Sequence, residues 1–555
     1  MSLHPQGPGP VPEETARVAR AAFPKGSLYL RMRDELGTLY EDTLFAPLFP
    51  SRGRPAEAPW RLALVTVMQS IESLSDRQAA DAVRSRLDWK YALGLELTDP
   101  GFDFSVLSEF RARLVSGGLE EQLLDRLVGQ CRTRGWLKAR GRQRTDSTHI
   151  LSAARALNRL ECVGETLRHA LNIVAEVAPE WLRAVAPADW YERYGHRVED
   201  YRLPKGQEAR HAYAALVGAD GVHLLRAIVA AQDLAWLLQV PAVVQLRQVW
   251  EQQYVVEQDA SGQPGRVRWR TAQELAPAGE RSDSPYDPEA RFATKRSTSW
   301  TGYKVHLTET CDEQAPHLIV QVDTTAAMTP DVVRTAPIED ALARRELTPA
   351  QHLVDSGYVS ADELVTSRER HSIDLLGPMR ADGKWQAKAG QGYALACFHL
   401  DWEAERAICP QGKSSRQWNP THTPTGQLTI HIQFDAADCT PCPVRALCTK
   451  ARREPRELTV RLRDQHEAMQ RARQRQTTDE FKAAYAARAG IEGTLSQGIR
   501  AFGLRQARYL GPTKTHMQHI VTAVAINIVR IDAWLRDVPL AKTRQSRFAA
   551  LALAS

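Results

Sequence analysis

Several things are scarce in this 555-residue chain. There are only eight cysteines, and five of them fall between 397 and 448. That distribution excludes the disulfide framework of a small secreted fold and points to thiols in a reducing compartment. The first ten residues, Met1 to Pro10, lack the apolar core of a signal peptide, so a cytoplasmic location is expected. A membrane span is not expected either. The closest approach to one, His519 to Leu535, is broken by Asn527, Arg530 and Asp532 and reads as a buried core helix. No internal repeat is visible, which argues against a solenoid. What remains is ordinary globular composition, 43% hydrophobic and 25% charged, in a chain long enough for several domains or one domain with large insertions.

The net charge is +6 but unevenly placed. Residues 445–547 hold 21 Lys/Arg against 9 Asp/Glu, a net of +12, so the rest of the chain is net acidic. A basic C-terminal third suits a polyanion, most plausibly nucleic acid. The alternative is a basic surface that faces only water.

Residues 1–25, Pro- and Gly-rich at first, are expected to be mobile. Leu62, Leu64, Val65, Met68, Ile71 and Leu74 then recur at helical spacing. Ser75 with Gln78 forms a capping box that opens the next helix, which buries Ala79, Ala80, Val83 and Leu87 and turns Arg77, Arg84, Arg86 and Lys90 outward. Ser105 is expected to cap a third helix, Val106 to Val115. Such short helices with basic outer faces fit a helix-turn-helix-like module or a plain helical bundle. After the basic stretch Ala139 to Arg144, the run Thr145 to Ile150 is β-branched. Asp146 within it either ends a strand in a turn or points into a site, because Asp is disfavoured inside strands. Residues 153–177 return to helical periodicity, and 258–291 carry a loop signature. Strands are expected at 302–309 and 317–323, then a helix begun by Thr329-Pro330 and ending near Arg345. Gln351 to Asp355 is a third strand, and Ser360 with Glu363 a second capping box. This rhythm is that of a mixed α/β sheet.

Two acids, Asp146 and Asp355, sit at or beside strand ends. A third, Glu492, shares a helix stripe with Arg488 and Tyr485. That stripe is either a surface ion pair worth a few tenths of a kcal/mol, roughly, or part of a site. Carboxylates converging in a basic setting suit Mg²⁺ on a phosphodiester, since hard oxygen ligands leave positions for water and phosphate. By spacing alone Asp323 and Asp331 compete for the same role.

The motifs around these acids resemble those of DDE transposases of bacterial insertion sequences, in the group usually called IS eleven-eighty-two. The matching text is Thr145-Asp-Ser-Thr148, Trp300 to Thr310, His352-Leu-Val-Asp355-Ser-Gly-Tyr358, Arg488-Ala-Gly-Ile-Glu492 through Arg500, Ala501 to Tyr509, and Lys514 to His519. Ser75 to Val83 in the N-terminal block joins them. The resemblance implies an α/β fold: an RNase H-like mixed sheet flanked by helices, with an N-terminal helical domain and two insertions. It divides the chain into a flexible N-terminus (1–25), a helical DNA-binding domain (26–138), the first part of the core (139–374, with an insertion at 151–299), a Cys-rich insertion (375–455), the second part of the core (456–540) and a tail (541–555). Asp146, Asp355 and Glu492 would be the acidic triad holding Mg²⁺ or Mn²⁺, with Asp323 a nearby sheet residue. Tyr485 and Arg488 complete a Tyr–Arg–Glu signature whose usual final Lys is here Ile499. Arg500, or else Arg505 or Lys514, would then contact phosphate, and the wider DNA-contacting set would add Arg508, Arg77 and Arg84. The partners implied are double-stranded transposon-end and target DNA and a second copy in a synaptic dimer. The alternatives from other classes are a non-catalytic repressor derived from a transposase, which would bind ends without cutting, and a nuclease without strand transfer.

Cys439 and Cys442 form a C-x2-C pair which, with Cys409 and Cys448, can close a structural Zn²⁺ site. Cys397 is an alternative fourth ligand, and reduced buried thiols or a redox pair are the other readings. Trp402 and Trp418 lie in the same insertion, where packing is favoured over stacking on a DNA base.

Overall fold

The computed structural model describes residues 2–5, 7–258, 264–295, 297–390 and 392–539. The expected tail, 541–555, lies outside the described residues. The chain is mixed α/β and about half helical. It opens with helices α1 (Glu13–Ala22), α2 (Leu28–Leu36), α3 (Pro59–Glu72), α4 (Asp76–Ser85), α5 (Leu87–Leu93), α6 (Ser105–Ser116) and α7 (Gln122–Thr133). Pro59 starts α3 at a position whose N–H has no helical partner, and Trp60, Leu62, Leu64, Val65 and Met68 bury its length. The Ser75–Gln78 capping box is present in both directions.

Four expectations here are corrected. Part of the stretch expected to be mobile is helical: α1 buries Thr15 and Ala19, and Thr15 Oγ1 donates to the Leu95 carbonyl at 2.8 Å. Lys90 is buried, not outward, because its ammonium serves the carbonyls of Glu96 and Asp99. Leu87 lies beyond the end of α4, at the start of α5. Ser105 caps nothing, since Asp103 Oδ1 accepts from the Ser105 amide instead.

Strands β1 (Arg142–Leu151), β2 (Arg291–Lys295), β3 (Thr298–Thr310), β4 (Ile319–Ala326), β5 (Gln351–Val354) and β6 (Asp374–Leu376) form one sheet among the described residues. Its order is β4-β3-β1-β5-β6, with β2 paired to the start of β3. β3 runs antiparallel to β1 and to β4, while β5 is parallel to β1 and β6 parallel to β5. A parallel neighbour requires a crossover. It is supplied between β4 and β5 by α11 (Thr335–Arg344), preceded by a short 3-10 turn, Asp331–Arg334, so the α-helix starts later than Thr329-Pro330 suggested. After β5, Ser360 caps α12 (Ala361–His371) by accepting from the Glu363 amide, without the reciprocal bond that would complete a box.

Between β1 and β2 the chain builds its own core from α8 (Arg159–Val177), α9 (Gln207–Ala230) and α10 (Pro241–Gln253). The segment read as loop carries a hairpin instead, with Pro264–Trp269 antiparallel to Tyr254–Gln258. Among the described residues, α9 alone is long and apolar enough to cross a membrane by length and composition, with mean hydropathy 1.3 over its best window. The sequence had pointed to the terminal helix instead. A third core, in the Cys-rich region, is built on an antiparallel sheet of Ser415–His422, Leu428–Phe434 and Glu457–Val460. The chain ends its described part with α13 (Arg463–Arg475), α14 (Asp479–Ala486), a 3-10 turn at Ala487–Ala489, α15 (Gly490–Phe502) and the buried α16 (Pro512–Leu535).

Candidate active site

Alternation along β1 places Arg144, Asp146 and Thr148 on one face of the sheet and Thr145, Ser147 and His149 on the other. Asp146 is therefore a mid-strand residue aimed into a site, not a turn residue. The first face is covered by the segment that runs from α14 to α15. Arg488, in the 3-10 turn, sends one guanidinium nitrogen to Asp146 Oδ2 at 2.6 Å and another to Glu492 Oε1 at 2.9 Å. Asp355 follows β5 directly, and Thr145 and Val354 are register partners, so the parallel pairing delivers Asp355 to the same end of the sheet as Asp146. Its carboxylate accepts from the Gly357 amide at 2.7 Å. The sheet thus brings Asp146, Asp355 and Glu492 toward one place, although the first and last stand 346 residues apart in the chain.

The three acids differ in setting. Asp146 is 8% exposed, and burial pushes its carboxyl up to about 6. The Arg488 charge pulls the other way, and the Asp355 charge adds to the rise. The Glu492 side chain is 67% exposed, and Arg488 Nε is buried without a partner. The site is short of positive charge at Asp146 and has donors to spare at Arg488. Tyr485 stacks on Phe481 with ring centroids 5.3 Å apart, which anchors the turn to the sheet edge around Leu353 and Leu376.

Behind these groups lies a closed cluster that sequence reasoning missed. Arg144 and the fully buried Glu309 are register partners and pair at 2.7 Å. Glu309 also accepts from Arg530 Nη1 and Thr494 Oγ1, both at 2.6 Å. Arg144 reaches the Ala487 carbonyl as well. It passes so close to Gly490 that a Cβ there would lie 2.1 Å from its guanidinium. One buried acid thus joins β1, β3, α15 and α16 and fixes the segment carrying Arg488 and Glu492. The available signal was a Glu at the end of a Thr-rich strand, but its partners stand 165 and 221 residues away.

The competing acids are held by other partners, although Asp331 stands near Asp355: a Cβ at Gly357 would lie 2.9 Å from Asp355 Oδ1 and 3.3 Å from Asp331 Oδ2. Asp331 is held on the opposite face by Lys304 at 2.8 Å and by Ser147 at 3.3 Å. Burial opposes its ionisation, but the Lys304 bond and charge outweigh that and keep its carboxyl below the ordinary range. Asp323 is clasped by Arg334 at 2.7 and 3.1 Å.

A family model described as Transposase DDE domain matches residues 408–532, and one described as Transposase domain (DUF772) matches 17–113. Both matches support a DDE transposase of an insertion sequence. Searches of curated proteins and of solved structures found no match. DDE transposases generally use divalent metal ions. The hard oxygen donors of the acidic site fit such an ion, and the charge deficit at Asp146 is what a cation would relieve.

The basic residues of the chain separate into several settings. Arg500 and Lys514 are exposed. Arg505 lies beside the acids, with Nε donating to Thr148 Oγ1 at 3.1 Å. Arg508 binds the Ser73 and Leu74 carbonyls just beyond α3, a structural use that ties α16's approach to the N-terminal helices. Arg77 lies over the Phe104 ring at 4.6 Å, and Arg84 pairs with Asp81 at 3.1 Å. Ile499, where the signature's Lys is missing, packs against the hydrophobic core.

Cys409, Cys439, Cys442 and Cys448 line one cavity of about 270 Å³, a soft donor set that fits zinc. Burial pushes the Cys448 thiol up to about 11, with the Arg456 charge opposing and the other three thiols adding to the rise. Cys397 is exposed and does not line that cavity. Among the described residues, no group of three His, Cys, Asp or Glu side chains is arranged so that it could hold a metal ion, at the cysteines or at the acids. Trp402 packs edge-on against Trp418 at 5.3 Å and near His466 at 5.7 Å.

Proposed function

We propose that this transposase binds the terminal inverted repeats of its own element, cuts a phosphodiester at each end to free a 3′-OH, and directs that 3′-OH onto a target-DNA phosphate. The observation that carries the reading is the Arg488 fork between Asp146 and Glu492, with Asp355 delivered beside it by parallel pairing. The strand order supports an RNase H-like core, and the motifs support the IS eleven-eighty-two group. The division into an N-terminal DNA-binding helical domain, a core split by two insertions, and a C-terminal segment is part of the same reading.

Asp146, Asp355 and Glu492 would hold Mg²⁺ or Mn²⁺. When bound, such an ion polarises the phosphate and makes water a better nucleophile. Arg488 orients the two carboxylates it joins and offers its guanidinium to phosphate as DNA enters. Arg505, adjacent on the same face, supplies a second cationic contact. Tyr485 fixes the turn. Arg500 and Lys514 track the DNA backbone outside the pocket, and Arg77 and Arg84 do so from the N-terminal helices. Two ends cut together call for two copies, working on DNA at the nucleoid. The four cysteines would hold a structural Zn²⁺ in an insertion whose core is small.

The test is end-bearing supercoiled DNA with Mg²⁺. Cleavage at the ends and strand-transfer products are expected from the native chain and from neither Asp355→Asn nor Glu492→Gln. Cleavage that survives either substitution overturns the assignment. For the cysteines, one equivalent of zinc per chain, lost together with the thermal stability of the insertion on Cys442→Ser, is the expected result.

A further inference from the structure

A surface helix normally turns a polar face outward, and α9 does not. Its inner face, Ala214, Val217, Gly218, Gly221, Leu224 and Ile228, is buried. Gly218 and Gly221 admit Tyr254 and Trp250 so closely that a Cβ at either would lie within 2.5 Å of a ring atom. The opposite face, Ala209, Ala212, Leu216, Ala219 and His223, is exposed, with Leu216 at 42%. Only 33% of the helix's most apolar window is buried. Val229 and Trp236, at the far end and just beyond it, are 65% and 45% exposed. A helix apolar on both sides is a helix meant to be covered on both sides.

The charges at its ends say by what. Glu208 and Arg226 flank the outer face, on the same edge of it by helical phase, and both are exposed. They lie equally far from Val217. A second α9 packed antiparallel about a twofold axis at that level sets Glu208 against the partner's Arg226, and Arg226 against the partner's Glu208. The face is therefore self-complementary, which is the requirement of an isologous interface. We infer that the outer face of α9 is a homodimer interface, through which the insertion after β1 joins two copies of the chain antiparallel. The inference does not depend on the transposase reading and is measurable without DNA.

The test is sedimentation equilibrium of the full chain across a concentration series, with circular dichroism to verify folding. A reversible dimer is expected from the native chain and a monomer from Leu216→Glu, whose site is at the surface. Glu208→Arg alone and Arg226→Glu alone should each weaken the dimer at least tenfold, and the two together should restore it. A native chain that stays monomeric overturns the inference. So does a dimer indifferent to Leu216→Glu, or a double charge swap that fails to restore what each single change removed. Binding of neutral phosphatidylcholine vesicles by a monomeric native chain, abolished by Leu216→Glu, overturns it in favour of a lipid surface.

Discussion

Two arginine–carboxylate clusters lie side by side on one face of β1, and they are built to opposite specifications. Around Glu309 everything is closed: the acid is 0% exposed, two arginines and a threonine donate to it, and four elements converge on it. Around Asp146 the arrangement is left open. One arginine serves two acids, its Nε has no partner, and burial raises the carboxyl. A satisfied buried charge network fixes geometry, while an unsatisfied one is costly unless something else completes it. The two residues on β1 that belong to these clusters, Arg144 and Asp146, are one strand repeat apart. The closed cluster thus holds the open one in place from one strand repeat away.

The contrast is open to direct attack. On the reading proposed above, Glu492→Gln should abolish end cleavage, by roughly a thousandfold or more as for loss of a group that acts as a unit with its partners. It should leave the urea midpoint almost unchanged, because a largely exposed ion pair is worth about 1 kcal/mol or less. Glu309→Ala should do the reverse at the level of folding and cost about 3–5 kcal/mol, since two buried arginines lose their counter-charge. Equilibrium unfolding in urea measures it, and a loss under about 1 kcal/mol would show that the closed cluster is not what holds α15.

Asp146→Asn should stabilise the metal-free protein. A folded-state carboxyl at about 6 lies above its unfolded value, so the unfolded chain releases its proton first and the native state loses stability as pH rises between the two. The gain from Asn should therefore be small near pH 4 and grow to about 2 kcal/mol near pH 8. Thermal melts at the two pH values decide it, and a gain that shrinks as pH rises would contradict the burial of that carboxylate. The smallest effects belong to the outer basic groups. Arg500→Ala should weaken DNA binding modestly and lower the salt slope by about one. Ile499→Lys should not compensate, because it drives a charge into the core and costs stability instead.

What could be read from the chain beforehand follows the range of the forces involved. Local chemistry was legible: the Ser75 capping box, the strand at Asp146, the acid that follows β5, and the thiols that share a cavity all rest on residues close in sequence. The partners that side chains find once the chain folds were not, whether those partners stand near or far in sequence. Lys90 reads as a surface cation until the carbonyls of Glu96 and Asp99 fold back on it, and Ser105 reads as a cap until Asp103 takes its place. Ile499 reads as a missing lysine, yet the helix phase turns that position toward the core and leaves Arg500 outside. Asp331 is a plausible site acid by spacing, and only the pleat of β1 and β3 puts it on the wrong face with Lys304.

The near-collision at Gly490 has a genealogical side. The Arg144 guanidinium occupies the volume that any side chain at 490 would need. Position 490 cannot be enlarged alone: a side chain there requires a smaller one at 144. Among descendants of this chain the two should be inherited as a pair, so that a substitution at 490 is tolerated only where 144 has already given up its arginine, and with it the tie that holds the turn bearing Arg488 against the sheet.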